Sequence, residues 1–268
     1  MPLSRRSLMK AGATFLGGTV VGGGALAGRG ALLAREGLPV YGGYASAVHA
    51  DRRTPPRHPQ VAVCWGGVTT SRRVALTFDD GPMPHWTPRV LDLLDEHQVP
   101  ATFFMIGQRA HDHWGLVAGR LDAHEVGNHT WNHHDLAKLD DGQVTAEIHR
   151  AHAELTQLSG RQPTLLRPPY GHLGGATLLA AADLNYSVVL WNLQMLESEY
   201  PHAPAGLANH LAAAVTPGTI LLAHDTGHAD RQIGINALPD LIPALKARGY
   251  TFVTVSELLR DAPAGTTV

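Results

Sequence analysis

A handful of polar side chains in this sequence are of the right types, at the right spacings, to do chemistry together. Asp79-Asp80-Gly81-Pro82 sets two carboxylates side by side at the end of the apolar run Val74-Ala75-Leu76-Thr77-Phe78. Adjacent carboxylates point in different directions, so one can hold a cation while the other works as a base. Read alone, the same residues also make an ordinary Asp-Gly turn. His129-Thr130-Trp131-Asn132-His133 places two imidazoles four residues apart, on one face if the segment is helical. Two histidines at that spacing can chelate one ion. Coincidence competes with that reading, because the chain has 17 histidines and His134 adjoins the pair. Joined by Asp80, the pair becomes a two-histidine, one-carboxylate set. Such a set leaves positions open for water and substrate, which suits a catalytic divalent metal.

These side chains need a scaffold, and the rest of the pattern supplies one. Apolar strand-like runs occur at 74–78, 101–106, 125–128, 164–166, 187–191, 219–223 and 250–255, with a short extra one at 61–65. Amphipathic stretches separate them. Thr87-Pro88 reads as the N-cap and first turn of a helix with Val90, Leu91 and Leu94 on one face. A weaker helix is expected over 108–121. Val144, Ile148, Ala151, Leu155 and Leu158 form one helical stripe that Gly160 stops. Further helices are expected at about 174–184, 204–215 and 235–248, the last kinked or late-starting because of Pro239 and Pro243. Strands alternating with helices imply an α/β fold with about seven parallel strands. A closed or partly closed barrel and an open doubly wound sheet both satisfy the pattern. Asp79 and Asp80, His129 and His133, Arg167 to Tyr170, Trp191 to Gln194 and His224 all follow strand ends. That shared C-terminal rim is where barrel folds assemble active sites, and it argues for an enzyme.

Composition narrows the class. The chain has 268 residues, 44% hydrophobic and 16% charged, which excludes a disordered or coiled-coil protein. A net charge of −2 argues against nucleic acid as a partner. A lone cysteine, Cys64, excludes an intrachain disulfide framework and a multi-cysteine metal site. Residues 1–27 read as an export signal: Arg5-Arg6 precede a glycine-rich, weakly apolar run closed by Ala25-Leu26-Ala27, which resembles a twin-arginine leader. Its cleavage would leave 18 basic against 23 acidic residues, no stable membrane span, and a secreted or cell-envelope protein. Residues 28–71 read as a lead-in or linker, since Pro55, Pro56 and Pro59 oppose a helix. Residues 72–260 form the catalytic domain and 261–268 a tail.

Thr77-Phe78-Asp79-Asp80-Gly81-Pro82, His129-Thr130-Trp131-Asn132-His133, Arg167-Pro168-Pro169-Tyr170-Gly171 and Leu222-Ala223-His224, in that order, resemble the motifs of the polysaccharide deacetylases, carbohydrate esterase family 4. The resemblance implies a distorted (β/α) barrel. It implies that Asp80, His129 and His133 hold a divalent metal, usually zinc and sometimes cobalt. Asp79 would be the general base, with Arg167 keeping it ionised and aimed, and His224 the general acid. Tyr170 would offer its backbone N–H to the oxyanion, while Leu222, Trp191 and Pro169 line the substrate site. One position departs from the family pattern. Gln194 stands where an Asp normally tunes the acid histidine, so His224 is expected to have a lowered pKa, with Glu197 a candidate to compensate.

The expected activity is removal of N-acetyl groups from an N-acetylglucosamine polymer, peptidoglycan or chitin-like, by metal-assisted attack of water. An O-deacetylase of the acetylxylan-esterase type uses a similar site and depends less on His224, because an alkoxide is a better leaving group than an amine. A weakly active or non-catalytic glycan binder is the third reading, and ranks last because Asp79 and His224 are both present. An iron-dependent oxygenase would use the same ligand types, but on an all-β framework.

Overall fold

The computed structural model describes His58 and residues 60–261. The proposed leader, most of the lead-in and all of the tail except Asp261 lie outside the described residues. In chain order the elements are β1 (Val63–Cys64), β2 (Arg73–Asp79), α1 (Thr87–His97), β3 (Thr102–Met105), α2 (Gly107–His113), β4 (Glu125–Asn128), α3 (Asp141–Ser159), β5 (Leu165–Leu166), α4 (Gly175–Asp183), β6 (Ser187–Val189), β7 (Leu193–Gln194), α5 (Pro204–Ala214), β8 (Thr219–His224), α6 (Gln232–Ala247), β9 (Thr251–Val253) and α7 (Val255–Arg260). Every strand pair is parallel. The sheet runs β1-β6-β5-β4-β3-β2-β8-β7, with β9 beside the first half of β2. It is a curled, open barrel: β1 and β7 form its two ends, and helices cover its outside.

All seven expected strands are present, several of them shorter than their apolar runs. The short strand expected near residue 63 is there too. Leu193–Gln194 was not expected: it pairs with Leu221–Leu222 and carries the chain across the open side. Residues 254–255 leave the strand they were assigned to. The Thr254 hydroxyl accepts from the Glu257 backbone N–H and the Glu257 side chain reaches back, a capping box that starts α7.

Three helix expectations need correction. Thr87 is the first residue of α1 and does not cap it. Its hydroxyl accepts from Met83 N–H at 2.8 Å and donates to Asp225 Oδ2 at 2.6 Å, so a buried carboxylate has taken its donor. The helix expected over 108–121 ends at His113, giving way to a single 3-10 turn at 114–116. α6 starts early, at Gln232, and contains both prolines. Each proline lacks an N–H, and the buried stripe Ile235, Leu238, Leu241, Ile242 and Leu245 holds the helix by packing instead.

The core lies mainly between the sheet and α1, α5 and α6. A second cluster packs α3 and α4 on β5 and β6. Gly127 on β4 lies so close to its neighbour strand that a Cβ would sit 2.5 Å from the Phe104 ring. Gly127→Ala should therefore overpack the sheet and cost about 1–3 kcal/mol. Thermal denaturation should show the midpoint lowered by several degrees; an unchanged midpoint would mean that Phe104 has room to move.

Candidate metal and catalytic site

Arg167 organises the barrel mouth. It follows β5 and is fully buried, so its charge has to be met by acceptors on every side. Nε donates to Val189 O at 3.1 Å and Nη2 to Leu190 O at 3.0 Å. Nη1 donates to Thr77 Oγ1 at 2.8 Å and to Asp79 Oδ1 at 2.7 Å. The guanidinium stacks 4.0 Å from the Phe104 ring. Asp79 is thus held by one oxygen and left free at the other, as a base requires. The pairing expected from the sequence is present.

The two histidines reach one point by a route other than the helix that their spacing suggested. Residues 129–133 are a loop in which Thr130 (φ 66°) and His133 (φ 61°) take left-handed backbone. Several contacts hold that shape. Asn128 Oδ1 accepts from Thr130 N–H, and Asn128 Nδ2 donates to Ile148 O and Tyr186 OH. Glu147, on α3 and buried, accepts from the backbone N–H groups of Trp131 and Asn132 at 3.1 and 2.8 Å and from Asn132 Nδ2 at 2.8 Å. Nothing in the sequence marked Glu147, which lies among the apolar positions of its helix as one acid among many.

Asp80, His129 and His133 offer ligand atoms within 4.8 Å of one another. Asp80 Oδ1 lies 3.3 Å from His129 Nε2 and 3.1 Å from His133 Nε2. His129 Nδ1 is 2.6 Å from Arg167 O. A carbonyl only accepts, so Nδ1 carries the proton and, in the neutral ring, Nε2 presents a lone pair toward the centre. A carboxylate oxygen facing imidazole lone pairs is a repulsive arrangement that a cation relieves. Asp80 Oδ1 is buried with no hydrogen-bond partner among the described residues. Those features fit a divalent metal. With no cation between them, protons relieve the same repulsion: burial opposes ionisation of Asp80, but His129 and His133 in their protonated form outweigh it and hold the carboxyl well below the usual range. His129 is pushed up despite its burial, because Asp79 and Asp80 both face it.

Asp80 itself sits at φ 80° and is gripped twice by arginines that the sequence reading passed over. Arg109 Nη1 donates to its carbonyl at 2.7 Å, and Arg231 Nη1 to its Oδ2 at 2.9 Å. Gly81 follows with no room for a side chain, since a Cβ would meet Asp225 Oδ2 at 2.1 Å. Asp225 is fully buried, and burial pushes its pKa up to about 7. Its place against Thr87 and Gly81 makes it structural.

The remaining candidates divide. His224 ends β8 directly beside Asp79, and Leu222 lies two residues back on the same face, in register with Thr77. Tyr170 is left-handed at φ 62° and 60% exposed, with its ring 4.9 Å from that of His133, which places it on the open rim. Pro169 is buried beneath it. Trp191 lies within 5.7 Å of the Arg167 guanidinium and against Gly171. Gln194 shares a register with Leu222 but is exposed, and among the described residues no hydrogen bond joins it to His224. Its strand is the open edge of the sheet. Glu197 lies against Gly234 at the start of α6, where burial pushes it up and Arg231 opposes that shift; among the described residues no hydrogen bond joins it to His224. The pKa of His224 is lowered as expected, but chiefly by burial and then by Arg231, against the pull of Asp79.

The family model for polysaccharide deacetylase matches residues 66–189. A peptidoglycan-N-acetylglucosamine deacetylase of Bacillus cereus is 38% identical over 204 residues, covering 75% of this chain and 95% of the relative. A chitin deacetylase of a Pestalotiopsis species is 37% identical over 225 residues, covering 79% and 73%. The solved structure of a peptidoglycan N-acetylglucosamine deacetylase superposes with a TM-score of 0.70 at 32% identity, covering 75% of this chain and 94% of that one.

The histidine loop depends on Glu147, which yields a test. Glu147→Gln turns one acceptor into a donor facing donors, and zinc affinity should fall roughly 10–100-fold, as losses behind metal ligands do. Zinc titration by calorimetry, with circular dichroism as a control for folding, would measure it. Wild-type affinity in a folded variant would show that the loop holds itself.

Proposed function

This chain belongs to the polysaccharide deacetylase family, and from that premise we propose that it is a metal-dependent hydrolase removing N-acetyl groups from N-acetylglucosamine polymers, peptidoglycan foremost. The observation that carries the reading is Asp79: buried, held by Arg167 through one oxygen, with the other 3.8 Å from His129 Nε2 and so beside the ligand set. A base and a cation site that close together are what hydrolysis of an unreactive amide needs. The substrate preference rests on the similarity of this chain to peptidoglycan-N-acetylglucosamine deacetylases.

Asp80, His129 and His133 would hold the metal, zinc or cobalt in this reading. When bound, such an ion polarises the acetyl carbonyl and acidifies water. Asp79 takes the proton from the attacking water through Oδ2, and Arg167, bonded to Oδ1, keeps it aimed. The Tyr170 backbone N–H, at the rim, donates to the developing oxyanion, a contact of a kind worth about 10²–10³ in rate. His224 gives a proton to the leaving nitrogen, so that the C–N bond breaks faster than the attack reverses. Leu222, buried between Thr77 and Gln194, lines the slot for the acetyl methyl, and Pro169 and Trp191 shape the sugar side.

Residues 1–27 are proposed to export the protein by a twin-arginine route to the cell envelope or beyond. No helix among the described residues is long and apolar enough to cross a membrane. Residues 28–71 then serve as a lead-in to the catalytic unit over 72–260, and within it Val63–Cys64 already add a strand to the sheet.

Acetate release from peptidoglycan, chitooligosaccharides and acetylated xylan tests the reading. Release should occur from the first two, stop with chelator and return with zinc. Release from xylan alone would replace it with the esterase reading, and none from any glycan by the zinc-loaded protein would point to a binder. Asp79→Asn should lower turnover at least 10³-fold while zinc still binds. The lowered pKa of His224 fixes a second outcome. The acid must be protonated, so kcat/KM should fall with rising pH earlier than an ordinary imidazole would impose. Gln194→Asp should move that limb upward; a limb that stays put would remove Gln194 from the account of the acid.

A further inference from the structure

Asp80 has two carboxylate oxygens with different neighbours. Oδ1 faces His129 Nε2 and His133 Nε2, while Oδ2 accepts from Arg231 Nη1 at 2.9 Å. We infer that Arg231 is a positioning residue for the metal ligand: by occupying Oδ2 it leaves Asp80 one oxygen to offer, and so sets which cation the Asp80–His129–His133 set prefers. The inference rests on reading that set as a metal centre.

The surroundings are shaped for this contact. The same Nη1 also donates to Thr226 O at 3.1 Å, so the guanidinium is tied to the segment that follows His224. Gly227, in that segment, has φ 119°, and a Cβ there would sit 2.7 Å from Nη1. A side chain at that position would block the arginine from its place, and L residues rarely adopt that backbone. Arg109 holds the other end of Asp80 through its carbonyl at 2.7 Å. With the backbone and Oδ2 both fixed, the carboxylate cannot swing to present its two oxygens to one ion.

A surface ion pair kept only for stability would not need this arrangement. Asp80 is 10% exposed at its side chain, and a second cation on a carboxylate that already serves one repels it. The gain is in geometry. One carboxylate oxygen and two imidazoles suit ions content with few ligands, such as zinc and cobalt, whereas oxygen-seeking ions such as manganese gain from a second carboxylate oxygen. Arg231 denies them that ligand. Its position after His224 also brings the acid and the metal ligand under one loop.

The test uses the full chain, stripped of metal, and compares wild type with Arg231→Ala, Arg231→Lys and Gly227→Ala. Dissociation constants for zinc and for manganese are measured by competition with a chromogenic chelator, and the visible absorption of the cobalt-loaded protein is recorded. Arg231→Ala should shrink the zinc-over-manganese preference at least tenfold and weaken the cobalt bands, as a higher coordination number does. Arg231→Lys should restore part of the preference. Gly227→Ala, which keeps the charge but obstructs its approach, should move it in the same direction as Arg231→Ala, and it decides the matter if Arg231→Ala fails to fold. A charge effect alone would change both affinities alike, so an unaltered ratio and spectrum would overturn the inference. Wild-type protein that shows the zinc preference but releases no acetate from any glycan would instead overturn the deacetylase reading and leave this one standing.

Discussion

A guanidinium with no access to water has to be surrounded by acceptors, and much of the barrel mouth follows from satisfying Arg167. Its four donor contacts fix Thr77 and Asp79 on one strand and the carbonyls of Val189 and Leu190 at the end of another. Its own carbonyl fixes the tautomer of His129. One residue therefore links the base to the ligand set through opposite ends of itself. Removing either partner of such a buried pair leaves an uncompensated charge, which is far costlier than the pair is stabilising. The arrangement is better understood as specifying geometry than as holding the fold together.

Backbone strain is concentrated in the same place. Among the described residues eight that are not glycine have positive φ, and Asp80, Thr130, His133 and Tyr170 are four of them. A β-branched residue such as Thr130 is an uncommon occupant of that region. Conformations like these cost on the order of 1–3 kcal/mol each and persist only where neighbours over-determine them. Here the neighbours are identifiable: Asn128 and Glu147 for the histidine loop, Arg109 and Arg231 for Asp80, and Trp191 against Gly171 beside Tyr170. The carboxylate and imidazoles converge because several polar groups outside the ligand set hold the chain in shapes it would otherwise leave.

Asp225 shows the same economy from the packing side. A fully buried acid beside Thr87 and Gly81 forces the corner after Asp80 to run without a side chain, and the Thr87 hydroxyl, which donates to that acid and accepts from Met83 N–H, ties down this corner instead of capping α1. Local helix preference gave way to a tertiary contact. The strain and the misplaced cap lie within a few residues of a proposed ligand, which is where local rules are expected to fail.

Period and spacing in the sequence were enough to reveal a parallel α/β fold and the gathering of Asp79, Asp80, His129, His133, Arg167, Tyr170 and His224 at strand ends, while the choice of barrel over open sheet came from the motif resemblance. Strand alternation and motif order are properties of neighbours along the chain, and burial of an apolar strand is decided by its own residues. What the sequence could not show were the contacts between distant segments. Glu147 under the histidine loop, Arg109 and Arg231 on Asp80, and the separation of Gln194 from His224 involve pairs from 15 to 151 residues apart, in different elements. A lone Glu, Arg or Gln carries no periodic signal, so only the folded chain could decide which of them meets the site.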